Sequence, residues 1–313
     1  MVQKKLNKKK LVLAISILVG IIIIIILIVS LISNIVKKHS IEYKLETIGY
    51  NIEEIEYIKT NFTKEEQEKV LNAEYSSILV PLYKEKYFKK TLLDEYLKYY
   101  NENKNLSANE IVLKINTHTN LEPYETIFDA DISKNELVLV NKYYKLSEDY
   151  EPDVELVSSQ YAYSGKYASK TIIESLQNLI DAAKEDNLKL VVSAGYRSYK
   201  EQEDIYNSYK INNGIREADE FVSRPGHSDY QTGLAVDIEP YAKYIENVNE
   251  SEEYQWLINN MHRFGFIQRF PEGKESITGF KYSAWHLRYV GVEAATFIHD
   301  NNITLEEYYG YKF

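Results

Sequence analysis

Residues Leu11 to Ser33 read LVLAISILVGIIIIIILIVSLIS, 23 positions without a charge. A helix needs about 20 apolar residues to cross the hydrocarbon of a bilayer, so this run predicts one membrane span. Lys4, Lys5, Lys8, Lys9 and Lys10 precede it, and Lys37 and Lys38 follow it. The positive-inside bias, modest here, places residues 1–10 as a basic cytoplasmic tail and everything after Ser33 outside. A cleavable signal peptide is the rival reading. It requires an apolar stretch of roughly 7–15 residues and a small-residue cleavage site. This stretch is longer, and Ser30 to His39 offers no A-x-A pattern. The expectation is a single-pass plasma-membrane protein with residues 11–33 as its anchor.

The net charge of −10 makes the chain as a whole a poor candidate for binding nucleic acid. There are no cysteines, so neither a disulfide framework nor a thiolate metal site is available. A metal would have to be held by His, Asp or Glu. The 29 tyrosines read first as composition and only second as a binding surface.

After the anchor, residues 34–134 read as a helical, polar stalk or subdomain. Asn51 with Glu54, Thr63 with Glu66, and Ser107 with Glu110 each place a carboxylate three residues after a short polar residue, the pattern of a helix capping box. Lys86 to Tyr100 has apolar residues at helical spacing, and His118 beyond it reads as a solvated loop residue. From about residue 135 to 313 the texture is that of a second domain. Leu137–Val140 is a strand candidate, and Tyr144–Gln160 is loop-like. Ala168–Asn187 is an amphipathic helix with Ile172, Leu176, Leu179, Ile180 and Ala183 on one face. Leu188–Ala194, Leu234–Ile238 and His286–Val290 read as strands. Tyr199–Ile211, Glu252–Phe264 and Val292–Asn301 read as helices. Strands and helices without regular alternation argue for an α+β domain.

Three segments carry candidate chemistry. Ser193-Ala194-Gly195-Tyr196-Arg197-Ser198 ends a buried strand, where an Arg can grip a carboxylate by two donors. Ser223 to Asp237 runs from a Pro-Gly loop through Ser228 and Tyr230 into a strand that carries an acid. In Ser283 to Gly291, His286 and Arg288 alternate with apolar neighbours, as one face of a strand does. Each segment alone also fits an ordinary turn or a structural histidine.

Together, in order and spacing, they resemble the VanY-type D-alanyl-D-alanine carboxypeptidases, zinc peptidases of peptidoglycan. The resemblance runs from about Leu137 to the C-terminus and includes Met261 to Ile267 and Arg269 to Gly279. It implies a small mixed or antiparallel sheet with flanking helices, zinc as cofactor, and peptidoglycan stem peptides as ligands. It assigns substrate binding to Arg197, with Ser193, Tyr196 and Ser228 around it, and metal binding to Asp237 and His286. In the family's Ser-x-His-x-x-Gly-x-Ala-x-Asp motif, Ser228, Gly233, Ala235 and Asp237 match. The zinc histidine position holds Tyr230. In the family's Glu-x-x-His motif His286 matches, but the general-base position holds Ser283.

Both departures matter physically. A catalytic zinc takes three protein ligands and a water, and only two remain. A phenol is neutral until near pH 10. A serine hydroxyl cannot act as general base at neutral pH, a loss of about 10²–10⁴ in rate. His227 reads as structural, and His262 as packing. His39 and His299 have no partners in sequence, and Glu239, two residues beyond Asp237, is the best substitute acid. The leading expectation is a membrane-anchored, non-hydrolytic relative that binds stem peptides or a cell-wall enzyme. Two alternatives stand beside it: an active D,D- or L,D-carboxypeptidase with a rearranged site, and a structural protein of the envelope.

Overall fold

The computed structural model describes residues 8–243, 245 and 248–313; Lys4 and Lys5 lie outside the described residues. The chain divides into two compact units, residues 1–88 and 89–313. In the first, α1 (Lys8–His39) contains the apolar run. Its Ile15–Ser33 stretch is long and apolar enough to span a membrane, with a mean hydropathy of 3.5. Its described apolar side chains point outward on every side, which suits a lipid environment better than water. Four short helices follow: α2 (Ile41–Ile48), α3 (Ile52–Asn61), α4 (Lys64–Leu71) and α5 (Leu79–Lys84). Leu45, Ile58 and Leu82 on them are fully buried, and Phe62 stacks on Tyr83 at 4.1 Å.

The second unit contains α6 (Leu93–Glu102), α7 (Ala108–Asn116), α8 (Lys170–Glu185), α9 (Tyr199–Asn213), α10 (Ile215–Phe221), α11 (Glu252–Asn260), α12 (Glu275–Thr278), α13 (Val292–Asn301) and α14 (Leu305–Lys312). The three sequence-read capping boxes form, as do further ones at Ser198 and Thr304. Two small two-stranded sheets pair β1 (Phe128–Asp129) with β2 (Tyr144–Lys145), and β3 (Val154–Leu156) with β4 (Tyr167–Ser169). The main sheet is antiparallel, in the order β5 (Leu190–Ala194), β6 (Ala235–Pro240), β8 (Ser283–Tyr289), β7 (Phe266–Phe270). This is the α+β arrangement of helices around a small sheet.

The sheet has two unlike faces because side chains alternate along each strand. One face sends Val192, Val236, Ile238, Phe266 and Leu287 into a core with Ile172, Leu176, Leu179 and Ile180 of α8. The other carries Asp237, directly opposite His286, and Arg288 two residues further on. That polar face positions the site.

Three local expectations are corrected. Leu137–Val140 is not a strand. Leu137 closes a 3-10 turn (Ile132–Leu137), and the carbonyls of Val138 and Val140 accept from Arg288 and Arg269 instead of a neighbouring strand. Tyr144–Gln160 is not all loop, since it holds β2 and the whole of β3. His118 is not solvated: its ring lies 4.8 Å from Phe128 and 5.5 Å from Tyr144, and its Nδ1 is 3.2 Å from the Tyr144 hydroxyl.

Candidate functional site

Arg197 sits between the end of β5 and the start of α9. Gly195 makes this departure possible by close approach: a Cβ there would meet the Tyr167 carbonyl oxygen at only 2.3 Å. That carbonyl accepts from the Tyr196 N–H at 2.7 Å, which ties the turn to β4. The Arg197 guanidinium lies over the Tyr230 ring at 3.8 Å, a cation–π contact. One of its nitrogens donates to Gln202 Oε1 at 3.4 Å, and Gln202 is in turn fixed by donating to the Ser223 carbonyl at 2.8 Å. Ser198 then caps α9 through Glu201.

Tyr230 stands on a 3-10 turn, Asp229–Thr232, that ends at Gly233 in the left-handed region (φ 70°). Ser169 crowds the place of a Cβ there at 3.1–3.2 Å, so the turn demands glycine twice over. The Tyr230 hydroxyl donates to Asp237 Oδ1 at 2.6 Å and lies 2.9 Å from His286 Nδ1. His286 Nδ1 is also 2.9 Å from Asp237 Oδ1. The one phenolic proton goes to Asp237, so Nδ1 must carry a proton to face two oxygens. The other ring nitrogen, Nε2, is buried and has no hydrogen-bond partner among the described residues. Phe270 stacks nearly parallel on the imidazole at 5.1 Å.

Burial by itself would raise the Asp237 carboxyl. The His286 hydrogen bond and charge, the Tyr230 hydroxyl and Arg197 hold it below the ordinary carboxylate range. Burial, and then the Asp237 charge, push the Tyr230 phenol well above its usual value, so it stays neutral. A depressed carboxyl favours the folded state at every pH above its unfolded value, about 3.9, and that contribution disappears as pH falls through the folded value. We therefore expect urea midpoints to drop below about pH 4, and Asp237→Asn to flatten that drop. An acid limb as steep in the Asn variant as in the parent would refute the assignment.

The donor set does not suit a catalytic metal. Among the described residues, no group of three or more His, Cys, Asp or Glu could hold one. The two remaining donor atoms that face one another, Asp237 Oδ1 and His286 Nδ1, are both engaged by the same phenol. A metal would have to displace the hydroxyl and strip the Nδ1 proton together. Glu239 offers no rescue here: it pairs opposite Val191 on β5 and does not line the cleft. His227 is held by an Nδ1 contact with the Asn141 carbonyl at 2.7 Å. His262 and His299 stack on one another at 3.8 Å, so His299 has a partner the sequence did not reveal.

A cavity of about 360 Å³ opens over this cluster. Of the sequence-named residues, Arg197, Ser228, Tyr230, Ser283 and His286 line it, with Phe221, Phe270 and Phe280 as apolar wall. Asp237 lies behind Tyr230, while Ser193 and Tyr196 are not in its lining.

Beneath the site, Arg288 joins three charged residues that were not singled out in the sequence, Asp229, Arg269 and Glu306. Asp229 accepts from Arg269 Nε at 2.8 Å and from Arg288 Nη1 at 2.5 Å. Arg269 forks onto both carboxylate oxygens of Glu306 on α14, at 2.7 and 3.0 Å. All four side chains are at most 2% exposed. Burial alone would raise the Asp229 carboxyl, but the two guanidiniums hold it low. The signal was present in principle: arginine between apolar neighbours in Ile267-Gln268-Arg269-Phe270 and Leu287-Arg288-Tyr289 demands a buried partner.

The family model of D-alanyl-D-alanine carboxypeptidase (VanY) matches residues 165–292. The Bacillus subtilis (strain 168) protein YodJ is 40% identical over 185 residues, which are 56% of this chain and 67% of that protein. The Enterococcus gallinarum bifunctional D-Ala-D-Ala dipeptidase and D-Ala-D-Ala carboxypeptidase VanXYC is 33% identical over 56% of this chain and 95% of its own length. The solved structure of the LdcB LD-carboxypeptidase, described as revealing the molecular basis of peptidoglycan recognition, superposes with a TM-score of 0.56. It is 37% identical and covers 61% of this chain and 93% of that one.

Proposed function

We propose that this chain, which belongs to the VanY D-alanyl-D-alanine carboxypeptidase family, is a membrane-anchored member that binds peptidoglycan stem peptides outside the cell and does not hydrolyse them. The observation that carries this reading is the Tyr230 hydroxyl, placed 2.6 Å from Asp237 and 2.9 Å from His286. A phenol there occupies by hydrogen bonding the two family-ligand atoms that face one another, Asp237 Oδ1 and His286 Nδ1. Ser283 at the base position has no carboxylate to take a proton from water. The family resemblance implies zinc; the residues of this site favour its absence.

The binding half of the machinery is intact in this reading. Arg197 presents a guanidinium braced by Gln202 and the Tyr230 ring to a cavity with aromatic walls. A terminal carboxylate fits the guanidinium fork, and the small side chains of a stem-peptide terminus fit the apolar wall. Residues 11–33 serve as anchor, with residues 34–134 as spacer or subdomain and 135–313 as the peptide-binding part. A cell-wall enzyme held close by the anchor is the natural beneficiary of such a site.

The test is titration of the purified protein with a peptide ending in D-Ala-D-Ala, alongside a zinc assay. Arg197→Ala should weaken binding roughly ten- to a hundred-fold, the loss of a charge-assisted pair. Arg197→Lys should recover only part, because it keeps charge and loses the fork. Stoichiometric zinc with turnover in the parent chain would overturn the proposal in favour of an active enzyme with a rearranged site. Absence of any peptide binding would favour a structural role.

A further inference from the structure

A second cavity, of about 520 Å³, lies at the start of β5, between residues 159–164 and Tyr241 just after β6, and is larger than the one over Tyr230. Tyr163 and Tyr241 line it with ring centroids 6.2 Å apart and planes tilted by 33°. They are 38% and 55% exposed, an unusual condition for two neighbouring aromatic rings. Both are mounted on backbone bonded to β5 or to the residue just before it. The Tyr163 N–H donates to the Val192 carbonyl at 3.0 Å, and the Tyr241 N–H donates to the Lys189 carbonyl at 2.8 Å. Around the rings stand Gln160, Asp181, Lys184 and Lys189. Asp181 accepts from the Tyr161 hydroxyl at 2.9 Å, which fixes one carboxylate oxygen and leaves acceptor capacity.

The chemistry narrows the ligand class. Acidic and basic groups share the rim, so neither an anion nor a cation is selected. An aliphatic chain would leave Gln160, Asp181, Lys184 and Lys189 on the rim unmatched. An extended peptide adding to the sheet edge is also excluded, because that edge is taken: residues 161–163 exchange backbone hydrogen bonds with Val192. A polyhydroxylated, uncharged ligand with flat apolar faces fits both the rigid rings and the mixed polar rim. A pyranose chain has that character.

Val192, which anchors the Tyr163 segment, is five residues from Arg197, at most about 18 Å of extended chain. A polymer that carries peptide branches on an amino-sugar backbone has groups suited to both places. We propose that the Tyr163–Tyr241 cavity is a saccharide site that holds the glycan strand while the Arg197 cleft holds its peptide, an inference that rests on the stem-peptide reading. Two weak sites on one rigid unit would then act together as one stronger grip.

The experiment separates the two claims. The full chain in detergent is titrated with chitotetraose, a peptide-free β-linked amino-sugar chain, and in parallel with a peptide ending in D-Ala-D-Ala. The Tyr163→Ala/Tyr241→Ala variant should lose about ten-fold or more of its chitotetraose affinity and keep its peptide affinity. Tyr163→Trp, which preserves a ring, should retain chitotetraose. Arg197→Ala should show the reverse, with peptide lost and chitotetraose kept. Chitotetraose binding that ignores the tyrosine pair, or no binding by the parent chain, overturns the saccharide site. The peptide arm is read independently of either result.

Discussion

Replacing Tyr230 by His and Ser283 by Glu together is expected to give a chain that binds about one zinc and hydrolyses a peptide ending in D-Ala-D-Ala, where the proposed reading has the parent do neither. The frame is close to ready. Two ligands at a tetrahedral angle on a zinc at about 2.0–2.1 Å stand roughly 3.3 Å apart. Asp237 Oδ1 and His286 Nδ1 are already 2.9 Å apart and need to part by only a few tenths of an ångström. Removing the phenol vacates the point between them, and the new imidazole brings the third ligand. The single changes should separate the two functions. Tyr230→His alone should bind zinc with little turnover, because a missing general base costs about 10²–10⁴ in rate. Ser283→Glu alone should do neither, since the phenol still occupies both donors. Metal analysis of the purified variants, followed by product release, checks each step. A double variant that folds and still takes no zinc would mean that the surrounding groups no longer support a metal.

The second large effect lies in the buried charges. Arg269→Ala should destabilise the second unit by about 3–5 kcal/mol, because it strands Asp229 and Glu306 without their shared partner in a dry interior. For a unit of this size that corresponds to a drop of roughly 10 °C in the midpoint of thermal unfolding. The same residue also donates to the Val140 carbonyl at 3.3 Å, so the loop before β2 loses its anchor as well. Arg197→Ala, which removes a side chain from the cleft rim, should by comparison leave the midpoint almost unchanged. Calorimetry of the two variants side by side distinguishes a structural network from a binding residue. Equal midpoints for Arg269→Ala and the parent would refute the network's role.

Much of the second unit was legible in the sequence because its signals are local. The α8 face of Ile172, Leu176, Leu179, Ile180 and Ala183 is the buried one. Residues 292–301 form a helix, as their pattern predicts. Capping boxes depend on two residues three apart, so they were read correctly wherever they were looked for. Local patterns failed where distant groups intervened. Val138 and Val140 have the side chains of a strand, yet their carbonyls serve guanidiniums from residues 288 and 269. β7 was missed because its five residues include a glutamine and an arginine that satisfy themselves elsewhere in the fold.

For the site, the sequence by itself determined which residue types stand at the family positions: Arg197 kept, Tyr230 and Ser283 changed. It also determined that an apolar run precedes them. The consequence of the change was decided by tertiary structure alone. Tyr230 and His286 are 56 residues apart in the chain, and Tyr230 and Asp237 seven. Only the antiparallel register that sets Asp237 opposite His286 brings the phenol within reach of both. The same holds for Tyr163 and Tyr241, which meet through bonds to Val192 in the middle of β5 and to Lys189 just before it. Periodicity is written into neighbouring residues, whereas the partner of a buried polar group is chosen by the packing of strands far apart in sequence.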